Sequence, residues 1–257
     1  MKDYRDYFLI KAFSKQSYRD HFNSGEGMYL NSVEYFHSHG DSFQHDFEGG
    51  IFRQASSGQG VLVFSKEQNT LEQIVKKYTK KQFSLSDVAV PTQDFKLFIQ
   101  GYICCFSFFP KECIRFDSGQ IVFKENTSIQ KDFYDFLNGY AKSQGYTFFS
   151  VYDAELFIPA FCDGLNKKGY SVSCGDVRYQ PISTEKRIHD FQNKDIQSIV
   201  FTKDISYAYQ KEFRFFIQSK EPYKDHIEID GIDLRESVVC SLAYLTNEYV
   251  QENHIVK

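Results

Sequence analysis

The order in which apolar runs and helical periods follow one another constrains this chain more than any single motif does. Strand-like runs stand at 6–13, 58–66, 97–109, 147–152, 171–179, 198–203, 226–230 and 238–244. Helical spacing marks 67–82 and 128–143, and the second of these ends just before Gly145. A short helix or turn is expected at 15–23, and a helix from about 153 that is interrupted near Pro159. Helices enter irregularly and several strand pairs are joined by short turns. That order predicts an α+β fold with a mostly antiparallel sheet, not a doubly wound parallel one.

No internal repeat, low-complexity tract or linker divides the 257 residues, so a single domain over 1–257 is expected. The chain carries 27 Phe and 18 Tyr but no Trp. Such a chain can build a dense aromatic core and still keep rings free to stack on a planar ligand. A net charge of −4 gives no global basic field for nucleic acid. The local run KKYTKK at 76–81 is either the solvated end of a helix or a phosphate contact through Lys76, Lys77, Lys80 and Lys81.

The six cysteines (Cys104, Cys105, Cys113, Cys162, Cys174 and Cys240) form no C-x-x-C pair. The opening MKDYRDYFLIKAF lacks a signal-peptide core. Together these predict reduced, mostly buried thiols in a cytoplasmic protein. No apolar run approaches the ~18 residues a membrane span needs, so no membrane partner is expected.

The common cofactor and nucleophile signatures are absent. There is no G-x-x-x-x-G-K-[ST] and no G-x-S-x-G, and Gly58-Gln59-Gly60 leads into a strand instead of following one. His37 and His39, with Asp46 and Glu48, have the residue types of a divalent-metal site and support an alternative reading as a metal-dependent nuclease. The same stretch, HSHGDSFQHD, also has the composition of an exposed loop, and no metal is expected.

The most informative stretch is YAYQKEFRFFI at 207–217. In an extended chain Gln210, Glu212 and Arg214 share one face, while Phe213, Phe215 and Ile217 take the core face. Such a polar row is either a site or a surface ladder in which an exposed Glu212 pairs with Arg214 or Lys203.

Four pieces follow in order: GMYLNSVEYF (27–36), DFEGG (46–50), CCFSFF (104–109) and YQKEFRFF (209–216). This order resembles a loose family of small bacterial proteins from phage-defence and toxin–antitoxin loci. The last piece also resembles the third motif of mono-ADP-ribosyltransferases, where [QE]-x-E precedes a core strand of a split antiparallel sheet. The resemblance implies a split or bent sheet and NAD as substrate. It also implies a macromolecular acceptor, RNA favoured over protein, and an antitoxin as a further partner.

By the same resemblance, Glu212 stabilises the positive charge that develops on the ribose as nicotinamide leaves, and Gln210 positions the acceptor. Ser107 matches the serine that supports the nicotinamide-ribose pocket. Tyr29, Asn31, Tyr209 and Arg214 complete the expected cofactor-binding set, with Tyr29, Phe108 or Tyr209 as stacking rings. The superfamily's first-motif Arg or His has no clear counterpart, and Tyr29 and Asn31 stand near its place. A third reading is a non-catalytic sensor or scaffold of a defence locus whose aromatics serve a partner interface; apart from any of these readings, Tyr29 and Asn31 fit a plain turn in which Asn31 caps a short helix at 32–36.

Overall fold

The computed structural model describes residues 4–33, 35, 51–57, 60–64, 92–96, 99–117, 120–123, 127–180, 190, 193–203, 205–219, 222, 224–245 and 248–252. The expected helix 67–82, its lysine run and the His37, His39, Asp46 and Glu48 group lie outside those residues.

The chain opens with β1 (Tyr7–Phe13), α1 (Gln16–Ser24) and β2 (Met28–Ser32). A separate three-stranded sheet follows, made of β3 (Ile51–Ser57), β4 (Gly60–Phe64) and β5 (Thr92–Lys96). Next come β6 (Tyr102–Pro110), a hairpin of β7 (Ile114–Asp117) and β8 (Gln120–Phe123), α2 (Thr127–Gln144), β9 (Phe148–Asp153) and α3 (Ala154–Lys167). The last part holds β10 (Ser171–Asp176), β11 (Arg178–Tyr179), α4 (Ile196–Val200), β12 (Thr202–Lys203), β13 (Glu212–Gln218), β14 (His226–Ile229), β15 (Val238–Leu245) and β16 (Glu248–Glu252). Among these strands only β11 and β12 pair in parallel. The fold is α+β around a nine-stranded antiparallel sheet.

That sheet runs β10-β13-β6-β1-β9-β15-β16, with β2 and β14 as a side branch. The branch point is fixed by register on β6. Ile103 pairs with Phe216 of β13 and Asn31 of β2, whereas Ser107 pairs with Glu212 of β13 and Ile10 of β1. A strand residue has only two edges, so β1 and β2 share the edge of β6 that faces away from β13 and diverge along it. In the gap between them the Lys11 ammonium donates to the Cys105 carbonyl at 3.3 Å.

Alternation along the strands loads both faces. Leu9, Phe106, Phe213, Phe215 and Ile217 join Phe22 of α1 and Phe157, Phe161 and Leu165 of α3 in the largest core cluster. Many of its rings meet edge-on, as in Phe106–Phe157 at 4.9 Å and Phe161–Phe215 at 4.8 Å, an arrangement ring quadrupoles favour, while Phe157 and Phe161 stack. On the opposite face α2 sets Phe133, Phe136 and Leu137 on Phe8, Ile10 and Phe109. On that same face α4 sets Ile199 and Val200 on Ile103 and Phe216.

Two glycines are required by close approach. Gly25 ends α1 at φ 73°, and a Cβ there would collide with the backbone of Ile232. A Cβ on Gly101 would strike the Phe216 ring. The run 97–109 therefore becomes one long strand that starts just after that glycine.

Four expectations change. The segment 198–203 is not a strand: Asp195 accepts from the Ser198 amide at 2.9 Å, caps the short helix α4, and leaves two residues for β12. Helix α3 runs unbroken through Pro159, anchored by the buried Phe157, Phe161 and Leu165 and by Asp153, which accepts from the Glu155 amide. The cap after β2 is Ser32, whose Oγ accepts from the Tyr35 amide at 3.0 Å, and not Asn31. Gln210 ends a 3-10 turn over Ile205–Gln210 and lies outside β13. Among the described residues no helix is long and apolar enough to cross a membrane.

Candidate functional site

The dipeptide before β13 sets the local geometry. Lys211 adopts φ 45°, a left-handed conformation that costs a non-glycine residue about 1–2 kcal/mol. It turns the chain from the 3-10 turn into the strand, and its ammonium pairs with Asp132 of α2 while lying over the Phe109 ring. Its carbonyl accepts from the Phe108 amide at 2.9 Å, which fastens the turn to β6. The kink leaves the side chains of Gln210 and Glu212 on either side of one cation, Lys203.

That cation is buried, as are the other charged members of the cluster. Lys203 is 1% exposed, Arg214 0%, Gln210 3% and Glu212 5%. The Lys203 ammonium donates to the Gln210 side-chain oxygen, and to Glu212 Oε2 at 3.1 Å. Arg214 grips the same carboxylate with Nε on Oε1 and Nη2 on Oε2, the latter at 3.1 Å, and its Nη1 donates to the Val200 carbonyl at 2.7 Å. The Cys105 thiol donates to the carboxylate as well. Lys203 also lies 4.7 Å from the centre of the Tyr207 ring.

Burial alone would push the Glu212 carboxyl up. The charges of Arg214 and Lys203 outweigh it, helped by the bonds from Arg214 and Cys105, and hold the group at about 2. The backbone is tied in too. The Glu212 amide donates to the Tyr179 hydroxyl at 2.8 Å, and Ser107 Oγ donates to the Gln210 carbonyl at 2.6 Å. Ser107 stands directly opposite Glu212 in the β13–β6 ladder.

Glu212, Gln210, Ser107 and Arg214 thus form one cluster on the α2/α4 face of the sheet, in the seam between its two apolar clusters. Glu212 pairs with Arg214 and Lys203 together, and the pairing is buried where a surface ladder would be exposed. Asn31 shares that face but lies opposite Ile103, four residues from Ser107 along β6, a distance of about 13 Å at the strand rise. Its Oδ1 is buried with no hydrogen-bond partner among the described residues. Tyr29 is 52% exposed and stacks on His226 at 4.3 Å. Tyr209 is 49% exposed on the 3-10 turn. Phe108 packs against Tyr7 and Phe213 at the rim of the opposite core.

A cleft of about 700 Å³ opens beside the diverging β1 and β2, lined by Lys11, Tyr18, His21, Tyr29, Tyr146 and Glu228. It has the size of a small-molecule pocket. Of the expected cofactor-binding residues, Tyr29 lines it. Among the described residues no group of three or more His, Cys, Asp or Glu is placed to hold a metal.

Sequence reasoning named Lys203 only as a surface partner and did not reach Cys105, Tyr179 or the Val200 carbonyl. These are gathered by pairing between segments far apart in the chain, and no local pattern announces it. Comparisons with protein-family models, curated proteins and solved structures found no match to this chain.

Proposed function

We propose that this protein is an NAD-dependent mono-ADP-ribosyltransferase acting on a macromolecular acceptor, RNA favoured over protein. The observation that carries this reading is the cation held between the Gln210 amide oxygen and the Glu212 carboxylate, opposite Ser107 on a branched antiparallel sheet. A pair that binds a buried ammonium is built to stabilise positive charge, and departure of nicotinamide develops positive charge on the ribose. In this reading the Lys203 ammonium stands in for the cationic sugar in a closed resting form, and NAD displaces it. Glu212 then accepts from the ribose hydroxyl, Gln210 orients the acceptor, and Tyr29 offers a ring for stacking in the cleft beside β1 and β2. NAD is a substrate, and the chemistry requires no metal.

A second reading has one specific observation in its favour. Arg214, Lys203 and Cys105 together occupy the hydrogen-bonding capacity of the Glu212 carboxylate. On that reading the cluster is structural, and the protein is a non-catalytic sensor or interaction partner, as in a defence locus with an antitoxin.

Incubation of the purified chain with adenylate-labelled NAD and separate RNA, DNA and protein pools distinguishes them. Label in RNA is expected. Label only in protein overturns the acceptor, and absence of both label and free nicotinamide overturns the enzyme reading.

A further inference from the structure

Cys162 and Cys174 come together where α3 crosses the edge of the main sheet. On α3, Phe161 meets the Phe215 ring of β13 at 4.8 Å, and in the ladder Cys174 of β10 lies directly opposite Phe215. The next helical residue, Cys162, lies where α3 packs on β10, and both cysteines border the same core cluster, the two thiols beside each other. Both cysteines are half-buried at the rim of the largest aromatic cluster, where small solutes can reach them. Among the described residues β10 pairs only with β13, so it forms an edge.

We propose that Cys162 and Cys174 are a reversible disulfide site, oxidised by hydroperoxides, that clamps α3 to strand β10. Cys174 stands on the edge strand β10, and the Cys162 thiol beside it lowers its pKa, so Cys174 is the attacking thiolate. Its sulfur attacks one peroxide oxygen. The O–O bond breaks, the other oxygen leaves as alcohol (or as water, when the oxidant is hydrogen peroxide) after taking a proton, and Cys174 becomes a sulfenic acid. The Cys162 sulfur gives up its proton and attacks the Cys174 sulfur. The S–S bond forms, the S–O bond breaks, and water leaves. Two thiols have then lost two electrons and two protons, and one hydroperoxide has been reduced.

Three of the other described thiols are poorly suited to this step. Burial raises Cys104 and Cys240, and Cys105 donates to the Glu212 carboxylate. The assignment does not depend on the transferase reading, since it rests on α3 and β10 alone.

The test treats the full chain with hydrogen peroxide and reads non-reduced peptides by mass spectrometry. A peptide pair linked through Cys162 and Cys174, lost on addition of dithiothreitol, is expected. In Cys162→Ser, dimedone should label Cys174, whereas in Cys174→Ser it should leave Cys162 unlabelled. A different pairing, direct passage of Cys174 to sulfinic acid in the unmutated chain, or dimedone labelling of Cys162 in Cys174→Ser would overturn the proposal.

Discussion

Arg214 and Glu212 are bound to each other more tightly than to anything else in the cluster, and their burial makes each depend on its partner. Replacing Arg214 by Met removes both guanidinium contacts to the carboxylate and leaves a buried charge with only Lys203 to balance it. Loss of one member of such a pair costs about 3–5 kcal/mol, so Arg214→Met should lower the denaturant midpoint accordingly. A loss under about 1 kcal/mol would mean that the cluster is open to water.

The same carboxylate makes stability depend on pH. Its folded value near 2 lies below the ordinary 4.5, so its contribution is complete above about pH 4.5 and disappears as the pH falls toward 2. The wild-type melting temperature should therefore fall through that window, and Glu212→Gln should flatten the part of the fall that this residue supplies. Parallel acid curves for the two proteins would contradict the assignment.

At the scale of elements, helix α3 makes the most exposed claim. Pro159 is exposed and lies inside the helix, where it forfeits one backbone hydrogen bond. The interior proline penalty is about 3 kcal/mol, offset by about 0.4–1 kcal/mol of unfolded-state entropy. Pro159→Ala should then stabilise the protein by about 2 kcal/mol in equilibrium unfolding. No gain would show that the helix is broken there, as the sequence alone suggested.

The elements also show what could be read in advance and why. Alternation placed Phe213, Phe215 and Ile217 in the core, because a strand's two-residue period is a local property. The helical stripe of Phe133, Phe136 and Leu137 was readable for the same reason. The left-handed turn at Lys211 was not, because lysine has no preference for that conformation. The position of Lys203 was not readable either, because it depends on β12 pairing with β11 more than twenty residues earlier.

For the whole molecule, the branching of the antiparallel sheet at β6 accounts for the cleft beside β1 and β2 and for the seam that holds Glu212. The net charge of −4 bears on the acceptor. At that net charge, attachment to RNA in the proposed reading would fall to local lysines such as Lys76, Lys77, Lys80 and Lys81 of the sequence, together with stacking on aromatic rings. Four phosphate contacts on a single strand give a slope of about −3 for log K against log salt. RNA binding measured over a salt series should be no steeper than that, and a much steeper slope would require a wide cationic face.

Nicotinamide release from NAD tests the central claim most directly. It should be measured for the wild-type chain, Glu212→Gln and Gln210→Ala, each with its melting transition recorded to establish that it is folded. The wild type should release nicotinamide, and Glu212→Gln should lose about 100-fold or more of that rate. Gln210→Ala should retain release while losing transfer to the acceptor. No release by the wild type, or an unchanged rate in folded Glu212→Gln, would contradict the assignment of Glu212 as the catalytic carboxylate.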